Sequence, residues 1–256
     1  MAGMPPRRAN RGREEPRRGR VRCRAVLLDA GGVIVLPHRG LVRAALGRVG
    51  IDIDAAAVAP AHYRAVRELD RGARDAPAED YLPAFCRALG VRPPALDRAI
   101  EALAQLADRR HSGEILWSEP APHALHTLVE LRRAGIGVLV VTNSDGHAAE
   151  NLSDAGICQT SARAGTGALV AAVIDSAIVG SAKPDLGIFR AALELAGGDP
   201  SAVVHIGDMV SADIVGAHAA GIVPIHVDPF RWCRASDHRH IRALNGVWSH
   251  VEPRRG

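Results

Sequence analysis

Residues 25–36 read AVLLDAGGVIVL, and every one of them except Asp29 is apolar or glycine. The near-continuous apolar run from Val21 to Leu28 is the pattern of a strand buried on both faces, as in a parallel sheet. A carboxylate inside such a strand is costly unless it is paired or stands at the strand's end. Gly31 and Gly32 follow, which suits a backbone that turns sharply or lets a ligand approach. The stretch therefore predicts a buried strand that delivers Asp29 to a sheet edge.

Downstream, from His38 to Leu116, the segments LVRAALGRV, DAAAVAPAHYRAVREL, AEDYLPAFCRAL and PALDRAIEALAQLADRR space their apolar residues at three and four. They predict helices separated by Gly90 and Pro93–Pro94, with no strand among them. Beyond Leu116 strands and helices alternate. Helices are predicted over 121–134, 146–155, 185–196 and 211–220, and strands over 135–141, 171–175, 203–206 and 223–227. Alternating units of this kind imply an α/β fold with a doubly wound, parallel-sheet, Rossmann-like core and right-handed crossovers. An all-helical cap interrupts that core after its first strand. The expected organisation is a tail (1–21), a core (22–37 and 117–256) and a helical cap (38–116), with no internal repeat.

A chain of 256 residues with 47% hydrophobic content can build one such core and a smaller partner. Residues 1–24 hold nine arginines against Glu14 and Glu15, a net +7, which leaves the body with 23 basic and 26 acidic residues, net −3. That balance, and a total of eight aromatic residues, argue against nucleic-acid binding by the body; only the tail has the charge for it. The tail itself is expected to be a disordered extension. The apolar stretch after it contains Asp29, unlike a secretory signal, and no run of 18 apolar residues exists to cross a membrane. Cys23, Cys86, Cys158 and Cys233 lack CxxC spacing and read as reduced thiols of a cytoplasmic protein rather than a zinc site. His123, His126, His205, His218 and His226 likewise read as structural, and Trp232 and Trp248 as covers for the core.

In doubly wound sheets ligands bind at the carboxyl ends of the strands. Asp29 follows the first strand, Thr142 and Asn143 follow the second, and Gly207 and Asp208 end a later one, with Asp213 five residues on. Lys183 precedes helix 185–196. It is the only lysine in a chain whose other 31 basic residues are arginines. A compact ammonium suits a carboxylate and a phosphate oxygen together.

The motifs DAGGV, VVTNS, SAKPD and HIGDMVSADIVGAHAAG, in this order, resemble those of the haloacid dehalogenase-like hydrolase superfamily, in particular members with a helical cap after the first strand. The resemblance covers residues 22–250. It implies a hydrolase, most simply a phosphatase of small phosphorylated metabolites. Asp29 would be the nucleophile, Thr142 a phosphoryl hydrogen-bond donor with Asn143 beside it, and Lys183 the neutralising cation. Mg²⁺ would sit on Asp29, Asp208 and the Gly31 carbonyl, with Asp213 as a further ligand or outer-shell partner. A hard dication also relieves the repulsion among clustered carboxylates.

The chain departs from the family's phosphatases at Gly31, where they carry an acid/base aspartate. Dehalogenase members carry a tyrosine there and lack the GD-type motif. Phosphonoacetaldehyde hydrolases need a cap lysine, and residues 38–116 contain none. The alternative to an enzyme is a protein of this fold that binds a phosphorylated ligand or partner with weak or no turnover. His38 at the cap entrance is the nearest candidate in sequence for the missing proton donor, and Gly31→Asp is expected to restore it. His62, Tyr63, Arg64 and Arg67 are expected on a solvated helix face, with Tyr63 in the core. Substrate identity and oligomeric state are not legible.

Overall fold

The computed structural model describes residues 19–75, 81–107, 114–160 and 167–254. Most of the predicted tail lies outside the described residues. The central sheet has six parallel strands in the order β11-β10-β9-β2-β5-β8. These are β2 (Ala25–Leu28), β5 (Gly137–Thr142), β8 (Ala172–Asp175), β9 (Val203–Gly207), β10 (Val223–Val227) and β11 (Arg239–Ile241). Strand β2 shows why its sequence is apolar throughout. Val26 and Leu28 enter one core cluster with Val138, Val140, Val204 and Ile206, and Ala25 and Leu27 enter another with Leu139, Val141 and Val203. A period-two strand covered on both faces cannot spare a polar position.

The predicted strand over 21–28 is two strands. β1 (Val21–Cys23) pairs with the terminal β12 (Val251–Pro253), whereas β2 lies between β5 and β9. The break falls at exposed Arg24, where the chain changes partners. Both β11 and β12 are short and were not predicted. Trp248, between them, packs on the core as expected; Trp232 instead stacks on Phe230 beneath Arg64 and Arg67.

Among the described residues between β3 (Val35–Pro37) and β4 (Trp117–Pro120) lie four α-helices, α1 (Arg39–Arg48), α2 (Val58–Asp75), α3 (Tyr81–Ala88) and α4 (Leu96–Ala107). They enclose a cluster of their own around Leu46, Phe85 and Leu103. The antiparallel pairing of β3 with β4 closes the root of this insertion. It escaped prediction because each strand is too short to carry a periodicity.

The remaining helices are α5 (Ala124–Arg133), α6 (Ala148–Asp154), α7 (Ser176–Val179), α8 (Leu186–Leu195) and α9 (Val215–Ala219), with a small pair β6 (Cys158–Gln159) and β7 (Ala168–Leu169) at the side. The helix predicted over 211–220 opens with a π-type turn, Val210–Ile214, before α9. From β2 the chain runs to β5 and β8 on one side, then returns to β9, β10 and β11 on the other. The β2–β9 boundary is therefore the switch point where ligands of such sheets sit.

Candidate active site

Asp29 is the first residue after β2, and Asp208 the first after its neighbour β9. Thr142 ends β5 on the other side. A cavity of about 430 Å³ opens over these ends, and Asp29, Gly31, Thr142, Asn143, Lys183, Asp208 and Asp213 all line it. The sequence placed six of these on four different loops and Asp213 at the start of the helix after Asp208.

Lys183 Nζ lies 2.7 Å from Asp29 Oδ1 and 2.6 Å from Asp213 Oδ1, and its side chain is buried. Burial pulls the ammonium toward neutrality, but Asp213 and Asp29 outweigh it and hold Lys183 above its ordinary range. For Asp213 burial pushes upward, yet Lys183 and His205 prevail and hold the carboxyl well below the usual range. Both its oxygens are engaged: Oδ1 with Lys183 and with His205 Nε2 at 2.9 Å, Oδ2 with the Met209 amide at 3.1 Å. That geometry sets Asp213 behind Lys183 as its anchor. The π-type turn makes this possible by aiming the Asp213 carboxylate back at the Met209 amide.

Asn143, expected beside the phosphoryl group, lines the cavity and has a second set of contacts. Its amide clamps the Lys183 main chain, donating to the Lys183 carbonyl (3.0 Å) and accepting from the Lys183 amide (2.8 Å). It positions the lysine.

The helical insertion supplies what the sequence reading missed. His62, on α2, is 2% exposed and does not lie on a solvated face. Its Nε2 is 2.9 Å from Asp208 Oδ2, and its Nδ1 is 2.9 Å from the Tyr81 hydroxyl. Tyr63 donates to the Gly32 carbonyl at 2.8 Å. Arg64 and Arg67 lie over Trp232. The available signal was weak: His62 falls on the same helical stripe as buried Val58, Ala65 and Val66. His38, the nearest candidate donor in sequence, is not in the cavity wall; its Nδ1 accepts from the Leu41 amide and caps α1.

The small residues after Asp29 now have separate reasons. Gly32 has φ +69°, and a Cβ there would run into the Asp208 carboxylate and His62 Nε2. It is glycine for backbone and space alike. Gly31 lies outside the left-handed region, but a Cβ would stand 3.3 Å from Cζ3 of Trp117. The indole fills the direction in which an aspartate side chain would project, and it packs edge-on against His62.

Asp29, Asp208 and Asp213 each bring a carboxylate oxygen within 4.8 Å of the others, against the single ammonium of Lys183. Burial raises Asp29 despite Lys183. It raises Asp208 to about 6 despite His62. Such a hard-oxygen set with surplus negative charge fits a hard dication.

The chain matches the family model of haloacid dehalogenase-like hydrolases over residues 23–221. No curated protein sequence matches it. Among solved structures it is similar to a HAD phosphatase from Thermococcus onnurineus (21% identity, 88% of this chain and 95% of that one, TM-score 0.53). It is similar also to the HAD-family YfnB of Bacillus subtilis bound to magnesium (18%, 89% and 97%, TM-score 0.61). A third is a dehalogenase in an intermediate complex (17%, 89% and 96%, TM-score 0.56). At these identities the likeness speaks for the fold.

Proposed function

Because the chain belongs to the haloacid dehalogenase-like hydrolase family, we propose that it is a Mg²⁺-dependent phosphatase of small phosphorylated metabolites, acting in the cytoplasm through an aspartyl-phosphate. The observation that carries this reading is Lys183 Nζ bridging Asp29 and Asp213 beside Asp208 at the sheet's switch point.

Asp29 attacks phosphorus, and the bond to the leaving oxygen breaks as that oxygen takes a proton. Water then attacks the acyl phosphate, releasing phosphate and the carboxylate. Lys183 offsets charge on Asp29 and on the phosphoryl oxygens, and Thr142 offers its hydroxyl to them. Asp213 and Asn143 keep Lys183 in place from behind. Asp29, Asp208 and the Gly31 carbonyl would hold Mg²⁺, which when bound supplies electrostatic stabilisation of the transferring phosphoryl group.

Gly31 has no proton to give, so His62 is the residue we assign to leaving-group protonation. Tyr81 also faces the cavity, but burial and Asp208 push its phenol far above its usual range. The His62 imidazole lines the cavity beside Asp208, and imidazole is the side chain most often used in general acid–base catalysis. The roof formed by Val66, Tyr81 and Trp117 favours an apolar or aromatic leaving group.

The test is Mg²⁺-dependent phosphate release from an aryl phosphate, with Asp29→Asn as control. Turnover lost in that variant, and beryllofluoride trapped on Asp29 of the native chain, support the proposal. A native chain that binds phosphate at this cavity without turnover belongs instead to the binding-module reading.

A further inference from the structure

A second concentration of metal-binding side chains lies outside the cavity, where β10 and β11 meet. His226 of β10 and His240 of β11 are register partners, side by side across the parallel pair. The loop that joins these strands returns Cys233 and His238 to the same point. One ligand atom from each of the four lies within 4.8 Å of the others. Sequence spacing concealed the group, since the chain must form two paired strands before its members meet.

We propose that His226, Cys233, His238 and His240 form a tetrahedral site for a zinc-class divalent metal, distinct from the carboxylate cluster.

The donor set is the first argument. Three imidazoles and a thiol suit zinc or cobalt(II) and not magnesium. Cys233 Sγ and His238 Nε2 are 3.6 Å apart, the edge length of a tetrahedron with bonds of about 2.0–2.3 Å.

The outer shell is the second argument, and it is independent of the first. Asp237 Oδ1 lies 2.7 Å from His238 Nδ1, so Nε2 of that ring is left for the cluster. The Asp208 carbonyl lies 3.1 Å from His226 Nε2, which leaves Nδ1. Imidazole ligands of metals are held in this way, by a carboxylate or carbonyl on the opposite nitrogen. His226 is 7% exposed, and its Nδ1 is buried with no hydrogen-bond partner. A buried orphan nitrogen is expensive, and a metal ion accounts for it. Asp228 takes the Cys233 amide at 2.7 Å and fixes the loop.

Cysteine ligates a metal as the thiolate, so binding replaces the S–H bond by a metal–thiolate bond and releases that proton to solvent. An occupied site would brace the loop that carries Trp232 against α2, and through His226 it would touch the main chain of Asp208.

The test uses the tag-free full chain, stripped with chelator and titrated with cobalt(II) in excess Mg²⁺. One equivalent is expected to bind with tetrahedral ligand-field absorption and a thiolate-to-cobalt charge-transfer band. Cys233→Ser should lose the charge-transfer band, and zinc should displace the cobalt. Asp237→Asn, outside the ligand set and at an exposed carboxylate, should keep the fold and weaken cobalt binding about 10- to 100-fold. No stoichiometric binding by the native chain overturns the proposal. So does a charge-transfer band that survives in folded Cys233→Ser, or an affinity unchanged in Asp237→Asn. These readouts are independent of phosphatase activity, so either proposal can fail without the other.

Discussion

At Gly31 the chain lacks a side chain that its family's phosphatases use, and the space is taken by Trp117. Simple restoration by Gly31→Asp, the expectation from sequence, therefore meets an indole that has to move. Gly31→Asp alone is expected to give little gain on alkyl phosphates and to lower stability, whereas Gly31→Asp with Trp117→Ala should recover alkyl turnover. His62→Ala in the native background should reduce kcat on alkyl phosphates by about 10²-fold or more, and much less on aryl phosphates, whose leaving groups need little protonation. Equal losses on both substrates would remove His62 from the acid role. Asp208 supplies a pH signature. Its folded pKa, about 6, exceeds the ordinary 3.8, so its contribution to stability is present below about 4 and lost as pH rises through 6. Metal-free Asp208→Asn is therefore expected to be more stable than the native chain at pH 8, by about 1–3 kcal/mol, and no more stable at pH 4. Melting temperatures of the two proteins across this range check the sign.

Among the elements, α2 does most to join the insertion to the sheet. It carries His62 to Asp208 and Tyr63 to Gly32, and near its end Asp70 accepts from the Val210 amide and from the amide and hydroxyl of Ser211 (3.0, 2.7 and 2.7 Å). Asp70 thus caps the π-type turn that presents Asp213. Asp70→Ala should cost about 1–2 kcal/mol in urea unfolding and raise KM for an aryl phosphate more than it lowers kcat. Asp70→Asn, which keeps an acceptor, should recover part of both. The helical periodicity of α2 was legible from residues such as Val58, Ala65 and Val66; which way its polar residues faced was not. A buried histidine and a solvated one have the same spacing until the partner carboxylate, 146 residues away in the chain, is brought alongside.

For the whole molecule, a dication that binds only the folded chain stabilises it by mass action, by about 2.7 kcal/mol at a hundredfold excess over its Kd, and so raises the melting temperature. Mg²⁺ is expected to stabilise the native chain in this way and to do so far less in Asp208→Asn; a thermal shift of equal size in both would move the ion away from Asp208. The apolar run of β2, the alternation after Leu116 and the helical spacing, with no strand pattern, between His38 and Leu116 determined the α/β core and its helical insertion from sequence alone. They do so because burial on two faces or on one stripe leaves a periodic mark in the chain. That Asp29, Thr142 and Asp208 meet at one edge, with Lys183 ahead of a helix beside them, was legible for a related reason: strand ends in a parallel sheet share one edge, so position along the chain implies proximity. Tertiary structure decided the rest. The contact of His62 with Asp208, the indole over Gly31, the clamp of Asn143 on Lys183 and the meeting of Cys233 with three histidines depend on how separate elements pack. Packing between elements leaves no period in sequence, because the partners are set by three-dimensional closure and not by spacing.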